Sequence, residues 1–373
     1  MSRATTAGQA GRRTVAVIGG GYGGASVVKA LDDEADVVLI EPKDAFVHAA
    51  GSLRALVRPD WAGDNMFFPY DRLLRRGTVI RERAASADVA GVTLESGARV
   101  DADYVVLASG SGYPFPAKTD TDVTSEALER IHAAHDELSR AQRVLLVGAG
   151  PVGLELSGEI KAVWPEKQVT VIDPAEQLMP GFLPEVREEL HRQLDVLGVD
   201  LRLGTALAEE PPAEPGRTKT FTAATTDGGS VTADLWFRCY GVRVNGGYLG
   251  AFAAARTPQG QIRVTETLNV IGHDHIYALG DLTALAEAKM AGYAMKHAEV
   301  IAENITAQLR GEGPTATYTH APTPSVLLPL GPDGGVGQVP TPDGPTVLPA
   351  QAVSEYKGKD LFAGRFAELF GTA

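Results

Sequence analysis

Four apolar residues, Val15 to Ile18, run directly into three closely spaced glycines, and the same arrangement returns at Val144 to Val147. A short uninterrupted apolar run that ends on glycine predicts a strand buried on both faces. In the first unit the pattern then shifts to helical spacing up to about Leu31, and a second apolar run, Val37 to Ile40, ends on Glu41. In the second unit a predicted helix carries Glu155 and Glu159, and the run Val169 to Ile172 ends on Asp173.

Further apolar runs predict a strand in Asp103 to Gly112 that ends in small residues, a helix from about Ser125 to Ala141, and a strand over Leu235 to Tyr240. A strand over Ile276 to Asp281 and an amphipathic helix over Lys289 to Leu309 follow. Between Trp61 and Val100 the pattern predicts a short helix and then strands, with Thr78 to Ile80 and Gly91 to Leu94 as hairpin material. The stretch EEPPAEPGRTK reads as an exposed loop. From Gly311 to Ala350 proline and glycine dominate, and Ser325 to Leu330 with Val336 to Val339 predicts a hairpin across GPDGG. The last segment places Leu361, Phe362, Phe366, Leu369 and Phe370 along one helical face, which predicts packing on the protein itself, with a membrane surface as the other option.

The glycines add chemistry to the strand-helix-strand pattern. Gly19, Gly21 and Gly24 form a GxGxxG turn around Tyr22 and Gly23, and Gly148, Gly150 and Gly153 form another around Pro151 and Val152. In such a turn the first glycine makes the tight bend, the second admits a pyrophosphate, and the third lets helix and sheet approach. The helix N-terminus offers unpaired N–H groups to the phosphates. Glu41 follows Gly19 by 41 − 19 = 22 positions, and Asp173 follows Gly148 by 173 − 148 = 25, spacings that suit a carboxylate on a ribose 2′-hydroxyl. Two complete units in one chain predict two bound dinucleotides. Asp173 has no arginine directly after it and would repel a 2′-phosphate, which favours NADH, with NADPH as the alternative.

The order of elements predicts an α/β protein: two Rossmann-like dinucleotide-binding domains and a small C-terminal α+β region. The expected organisation is a first domain in residues 1–117, a second in 118–245, the rest of the first in 246–315, and a hairpin-and-helix region in 316–373. Around the first unit, Lys43 and Arg54 are candidate cofactor contacts, as is the backbone of Ser109 and Gly110. Arg54 is the better phosphate or ribityl contact because a guanidinium donates in a fork, whereas Lys43 and His48 read equally well as solvated loop charges. Asp281, with Gly280 at the carboxyl end of a strand, is a candidate for a polyol chain or else a helix cap. Lys289, Met290 and Ala291, at the start of the next helix, would face the same ligand.

Charge and cysteine narrow the function. A net charge of −13 with no basic run excludes a nucleic-acid partner. The single cysteine, Cys239, excludes an intrachain redox disulfide and reads as a small buried side chain in a reduced compartment. No metal-ligand spacing is present. The opening residues lack an apolar core for a secretory signal, Ser2 replaces the glycine that N-myristoylation needs, and no apolar run spans a bilayer. These features predict a cytoplasmic protein, with peripheral contact at the inner face of a membrane as an option.

The motifs VIGGGYGG, ASGSGYPFP, VGAGPVGLELSGEIK, HIYALGD, KMAGYAMKHA and KDLF, in this order, cover nearly the whole chain. Together they resemble the flavoproteins with two dinucleotide-binding domains, and within them the apoptosis-inducing-factor-like group of ferroptosis-suppressor-like NAD(P)H:quinone oxidoreductases. The resemblance implies FAD held by Gly19 to Gly24, Glu41, Arg54, the backbone of Val79, and Asp281. It implies that Glu155 faces the nicotinamide with Lys118 close to the same cleft, and that Lys357 and Phe362 lie near a quinone pocket. The lipidated N-terminus of eukaryotic members is missing from the sequence. Hydride transfer from NADH to FAD and onward transfer to a quinone is the function this implies. The alternatives are a ferredoxin- or rubredoxin-type reductase and a non-enzymatic NADH-responsive sensor.

Overall fold

The computed structural model describes residues 11–320 and 323–372. The readings made on the first ten residues lie outside them. Five parallel strands form the first sheet, in the order Ile276–Ala278, Tyr104–Leu107, Thr14–Ile18, Asp36–Ile40, Thr78–Ile80. The apolar runs are continuous because both faces are covered. Helices Tyr22–Leu31 and Ala291–Leu309 lie on one side, and a small antiparallel sheet around Val92 with Phe252 and Leu249 lies on the other. Thr78–Ile80 is therefore not hairpin material: Ile80 pairs with Ile40, making a parallel edge strand. Three residues carry no periodicity of their own, so their partner is set by the tertiary fold.

A second parallel sheet orders Val199–Leu203, Gln168–Asp173, Arg143–Val147 and Leu235–Arg238. The chain leaves the first sheet through Ser111–Gly112 and comes back through Arg243–Val244, and these two-residue strands pair antiparallel. The C-terminal region is a three-stranded antiparallel sheet of Val326–Leu330, Gly334–Thr341 and Gly344–Leu348. Its third strand, absent from the predicted hairpin, pairs Pro345 with Pro340 and occupies an edge, where a missing N–H is tolerated.

The final helix differs from expectation. Residues Ser354–Gly358 form a wide turn, Leu361 and Phe362 take left-handed backbone angles (φ 55° and 65°), and only Ala363–Leu369 is α-helical. Phe362 thus stands at the helix start, half-buried against the same apolar cluster as Phe366 and Phe370. Phe366 and Phe370 stack on Phe46 at centroid distances of 5.3 and 4.8 Å, so the apolar face packs inward. Among the described residues no helix is long and apolar enough to cross a membrane.

Candidate cofactor and electron-transfer site

The two glycine turns are near copies in their sterics. Gly19 and Gly148 have φ of 103° and 114°, and an added Cβ would meet the carbonyl oxygens of Ala108 and Cys239 at 2.6 and 2.7 Å. A Cβ on Gly24 or Gly153 would sit 1.8 or 1.9 Å from the carbonyl oxygen of its own turn's first glycine. Gly21 and Gly150 are different: nothing lies within 4 Å of the Cβ position, and their φ angles are ordinary. Folding needs glycine at the outer positions. At the middle ones a Cβ would fill only the space where a pyrophosphate would lie, so the cradle fits a dinucleotide.

Each terminal carboxylate braces its own turn. Glu41 accepts N–H bonds from Gly20 (2.6 Å) and Lys43 (3.0 Å), and Asp173 accepts them from Ala149 (2.7 Å) and Ala175 (2.8 Å). Burial raises the pKa of Glu41, and the two N–H donors oppose the shift. A cleft of about 440 Å³ opens at the second turn, lined by Gly150, Pro151, Asp173, Met179, Lys289 and Met290 among others. Lys289 and Met290 therefore line the cleft at the second turn, and Lys289 also lies within electrostatic reach of Asp281. The Lys289 ammonium donates to the carbonyls of Thr283 and Leu285, and Ala291 opens the helix behind it.

Asp281 receives a 2.5 Å hydrogen bond from Ser111 Oγ. Lys118 donates to the same hydroxyl (3.0 Å) and to the Ser111 carbonyl (2.7 Å), and lies 3.5 Å from Asp281. Lys118 thus associates with Asp281 and Ser111. Ser109 and Gly110 sit at the crossing, where Ser109 Oγ donates to the Asn245 carbonyl and Gly110 is left-handed. Val79 is half-buried at the centre of the edge strand.

Arg54, in the short helix Ser52–Val57, and His48, in the loop before it, occupy other places than expected. The Arg54 guanidinium is buried (4% exposed): its Nε and Nη2 donate to Glu159, at 2.7 Å for Nη2, and Nη1 donates to the Lys359 carbonyl. The fork predicted for a phosphate is committed to a carboxylate within the protein. His48 is not solvated but fully buried, with Nδ1 3.0 Å from Tyr22 Oη and Nε2 2.7 Å from the Leu361 carbonyl. A carbonyl only accepts, so Nε2 carries the proton. Burial lowers the pKa of His48 to about 4. Lys43 donates to the Thr121 carbonyl and lies 3.5 Å from Asp122, on the flank of the turn.

Glu155 and Glu159 share one face of helix Pro151–Val163, as i and i+4 positions must. Glu159 takes Arg54. Glu155 takes Lys357, with Nζ 2.8 Å from Oε1 and a second bond to the Leu327 carbonyl. Burial raises the Glu155 pKa, and the Lys357 ammonium pulls the other way. Phe362 is half-buried on the same C-terminal turn, its N–H donating to Asp360. Cys239 is 2% exposed against the second glycine turn, with its thiol pKa pushed up to about 12 by burial. The role of Glu159 was not read from the sequence; two acids four apart on a helix between two apolar strands were the available signal.

The chain matches known proteins over most of its length. Residues 13–300 match the pyridine nucleotide-disulphide oxidoreductase family. The chain is similar to ferroptosis suppressor protein 1 of Homo sapiens (32% identity, covering 89% of this chain and 90% of the relative) and to the same protein of Taeniopygia guttata (32%, 87% and 88%). Apoptosis-inducing factor homolog B of Dictyostelium discoideum is 29% identical over 95% of this chain and 96% of its own. Among solved structures, the sulfide:quinone oxidoreductase of Aquifex aeolicus superposes with a TM-score of 0.76 at 17% identity, covering 96% and 92% of the two chains. The ferredoxin reductase of the CYP199A2 system from Rhodopseudomonas palustris gives 0.70 at 22%, covering 88% and 82%. With the family matched over most of its length, the chain belongs to the pyridine nucleotide-disulphide oxidoreductases and is an oxidoreductase using their cofactors, FAD and NAD(P)H.

Proposed function

We propose that this oxidoreductase draws reducing equivalents from NADH and delivers them to a quinone. The observation that carries this reading is the near-buried Lys357–Glu155 pair on a chain with a single, sealed cysteine. The family's namesake disulfide chemistry needs two thiols, so electrons leave for an acceptor outside the protein. When bound, FAD supplies the acceptor for a hydride and the means to pass electrons on singly or in pairs.

The chain's own residues bind and orient. The Gly19–Gly24 turn with Glu41 and Asp281 holds the flavin nucleotide, and the Gly148–Gly153 turn with Asp173 holds the nicotinamide nucleotide. The Asp173 carboxylate favours NADH, because a 2′-phosphate beside it would be repelled. Glu155 orients the nicotinamide edge and fixes Lys357. Two of the three ammonium N–H groups of Lys357 are engaged by Glu155 and Leu327, which leaves one to stabilise an oxyanion developing on the quinone. Phe362 adds an apolar wall. The balance is NADH, a proton and quinone giving NAD⁺ and quinol.

The test is NADH oxidation by the purified protein against a panel of quinones, ferricyanide and a ferredoxin, with the flavin identified by its spectrum. Quinone turnover well above that with ferredoxin is expected. Turnover with ferredoxin alone, or a reduced complex that no acceptor reoxidises, would overturn the reading.

A further inference from the structure

His297 is fully buried on helix Ala291–Leu309, and the function proposed above does not use it. Its Nδ1 lies 3.0 Å from the backbone nitrogen of Gly280. An N–H can only donate, so Nδ1 is the acceptor and the neutral ring carries its proton on Nε2. Nε2 is 2.9 Å from Glu287 Oε1, off the axis of an aligned hydrogen bond. The other Glu287 oxygen accepts from Tyr318 Oη at 2.6 Å, and the Tyr318 ring meets the imidazole edge-on at 4.2 Å. A core-filling residue needs none of this: a leucine would occupy similar volume without a buried acid to satisfy.

The two arms end on different halves of the site. Gly280 is left-handed (φ 64°) and directly precedes Asp281, the carboxylate bonded to Ser111. Glu287 directly precedes Ala288, Lys289 and Met290, which line the cleft shared with Gly150 and Asp173. We propose that His297 is a positioning residue that sets the Gly280–Asp281 turn against the Ala288–Met290 wall, so one imidazole adjusts the flavin side and the nicotinamide-nucleotide side together. This rests on the reading of Asp281 as a flavin contact and of the cleft as the NAD(P)H site.

The arms can be cut separately. In His297→Asn the amide oxygen can take the place of Nδ1 and keep the Gly280 N–H paired, but the side chain is too short for Glu287. In His297→Gln the amide N–H reaches toward Glu287 and leaves Gly280 unpaired. FAD dissociation constants come from flavin fluorescence on reconstitution, and NAD⁺ dissociation constants from difference absorbance on the holoenzyme. For His297→Asn we expect FAD affinity within about threefold of wild type and NAD⁺ binding weakened about tenfold; His297→Gln should show the reverse, since one lost buried partner is worth roughly that factor. Equal weakening of both ligands in both variants, or no change in either, would overturn the proposal. If neither variant folds, Glu287→Leu removes the acceptor and reads the nucleotide arm alone: NAD⁺ affinity should fall with FAD unaffected, and unchanged NAD⁺ affinity would overturn it. A wild-type protein that bound no FAD or no NAD⁺ would instead refute the underlying site assignment.

Discussion

Lys357 Nζ and Glu155 Oε1 are 2.8 Å apart although 202 residues separate them in the chain. The C-terminal turn is thereby tied to the helix that opens at the second glycine motif.

Replacing Lys357 with methionine should lower quinone-dependent kcat by tenfold or more and leave Glu155 as an unpaired, mostly buried acid. A partner removed from such a pair costs about 1–3 kcal/mol. The pH dependence has a definite sign. Burial already holds the Glu155 pKa above its unfolded value, and loss of the ammonium raises it further. The folded state then binds the proton more tightly than the unfolded state. The deficit in Tm should therefore be greatest above the folded pKa of Glu155 and shrink on acidification as the carboxylate is protonated. A deficit that grew as pH fell would contradict the assignment.

The Arg54–Glu159 pair is more deeply enclosed, with both side chains 4% exposed. Glu159→Ala should cost about 3–5 kcal/mol by stranding a guanidinium. The double variant Arg54→Met, Glu159→Leu should recover most of that loss, because an apolar pair needs no compensating charge. Urea denaturation measures both. The double variant should also retain its flavin; a colourless but folded protein would return Arg54 to the cofactor.

Glycine positions separate folding from binding. Gly21→Ala should fold with the Tm of flavin-free wild type and lose flavin, and Gly150→Ala should keep flavin and raise the KM for NADH, since neither added Cβ has protein within 4 Å. Gly24→Ala, whose Cβ would lie 1.8 Å from the Gly19 carbonyl oxygen, should fail to fold normally. Flavin absorbance and thermal melts distinguish the three.

His48 predicts an acid limb. Its pKa falls from the ordinary value of 6.5 to about 4, so the unfolded chain binds the proton that the folded chain refuses. Stability from this group is complete above about pH 6.5 and declines as pH falls toward 4, by roughly 3 kcal/mol in all. His48→Phe should flatten that limb of the Tm–pH curve between pH 4 and 6.5.

What could be read from the chain depended on sequence distance. The glycine turns, their strands and the acids Glu41 and Asp173 are local, each encoded within about 30 residues by spacing and residue type. The partners of Arg54, Glu155 and His48 lie 105, 202 and 313 residues away, and periodicity does not specify which surfaces meet. Arg54 illustrates the difficulty: a buried guanidinium fork serves a carboxylate as readily as a phosphate, and only the fold showed Glu159 in reach. The left-handed Leu361–Phe362 step was not legible because helical spacing assumes right-handed backbone, although Phe362 still packs on the cluster of Phe366 and Phe370.

The chain passes between the two parallel sheets through Ser111–Gly112 and Arg243–Val244, a ladder of two residues on each side. A strap that narrow resists bending poorly. Stiffness at the joint comes instead from the buried Arg54–Glu159 pair and from Leu53, Leu56 and Val57 sharing one apolar cluster with Leu154 and Ile160, and the tail adds the Lys359 carbonyl on Arg54 and Lys357 on Glu155. The tail thus acts as a clamp across a joint that Arg54 and Glu159 already hold closed, touching both members of the pair's neighbourhood from outside.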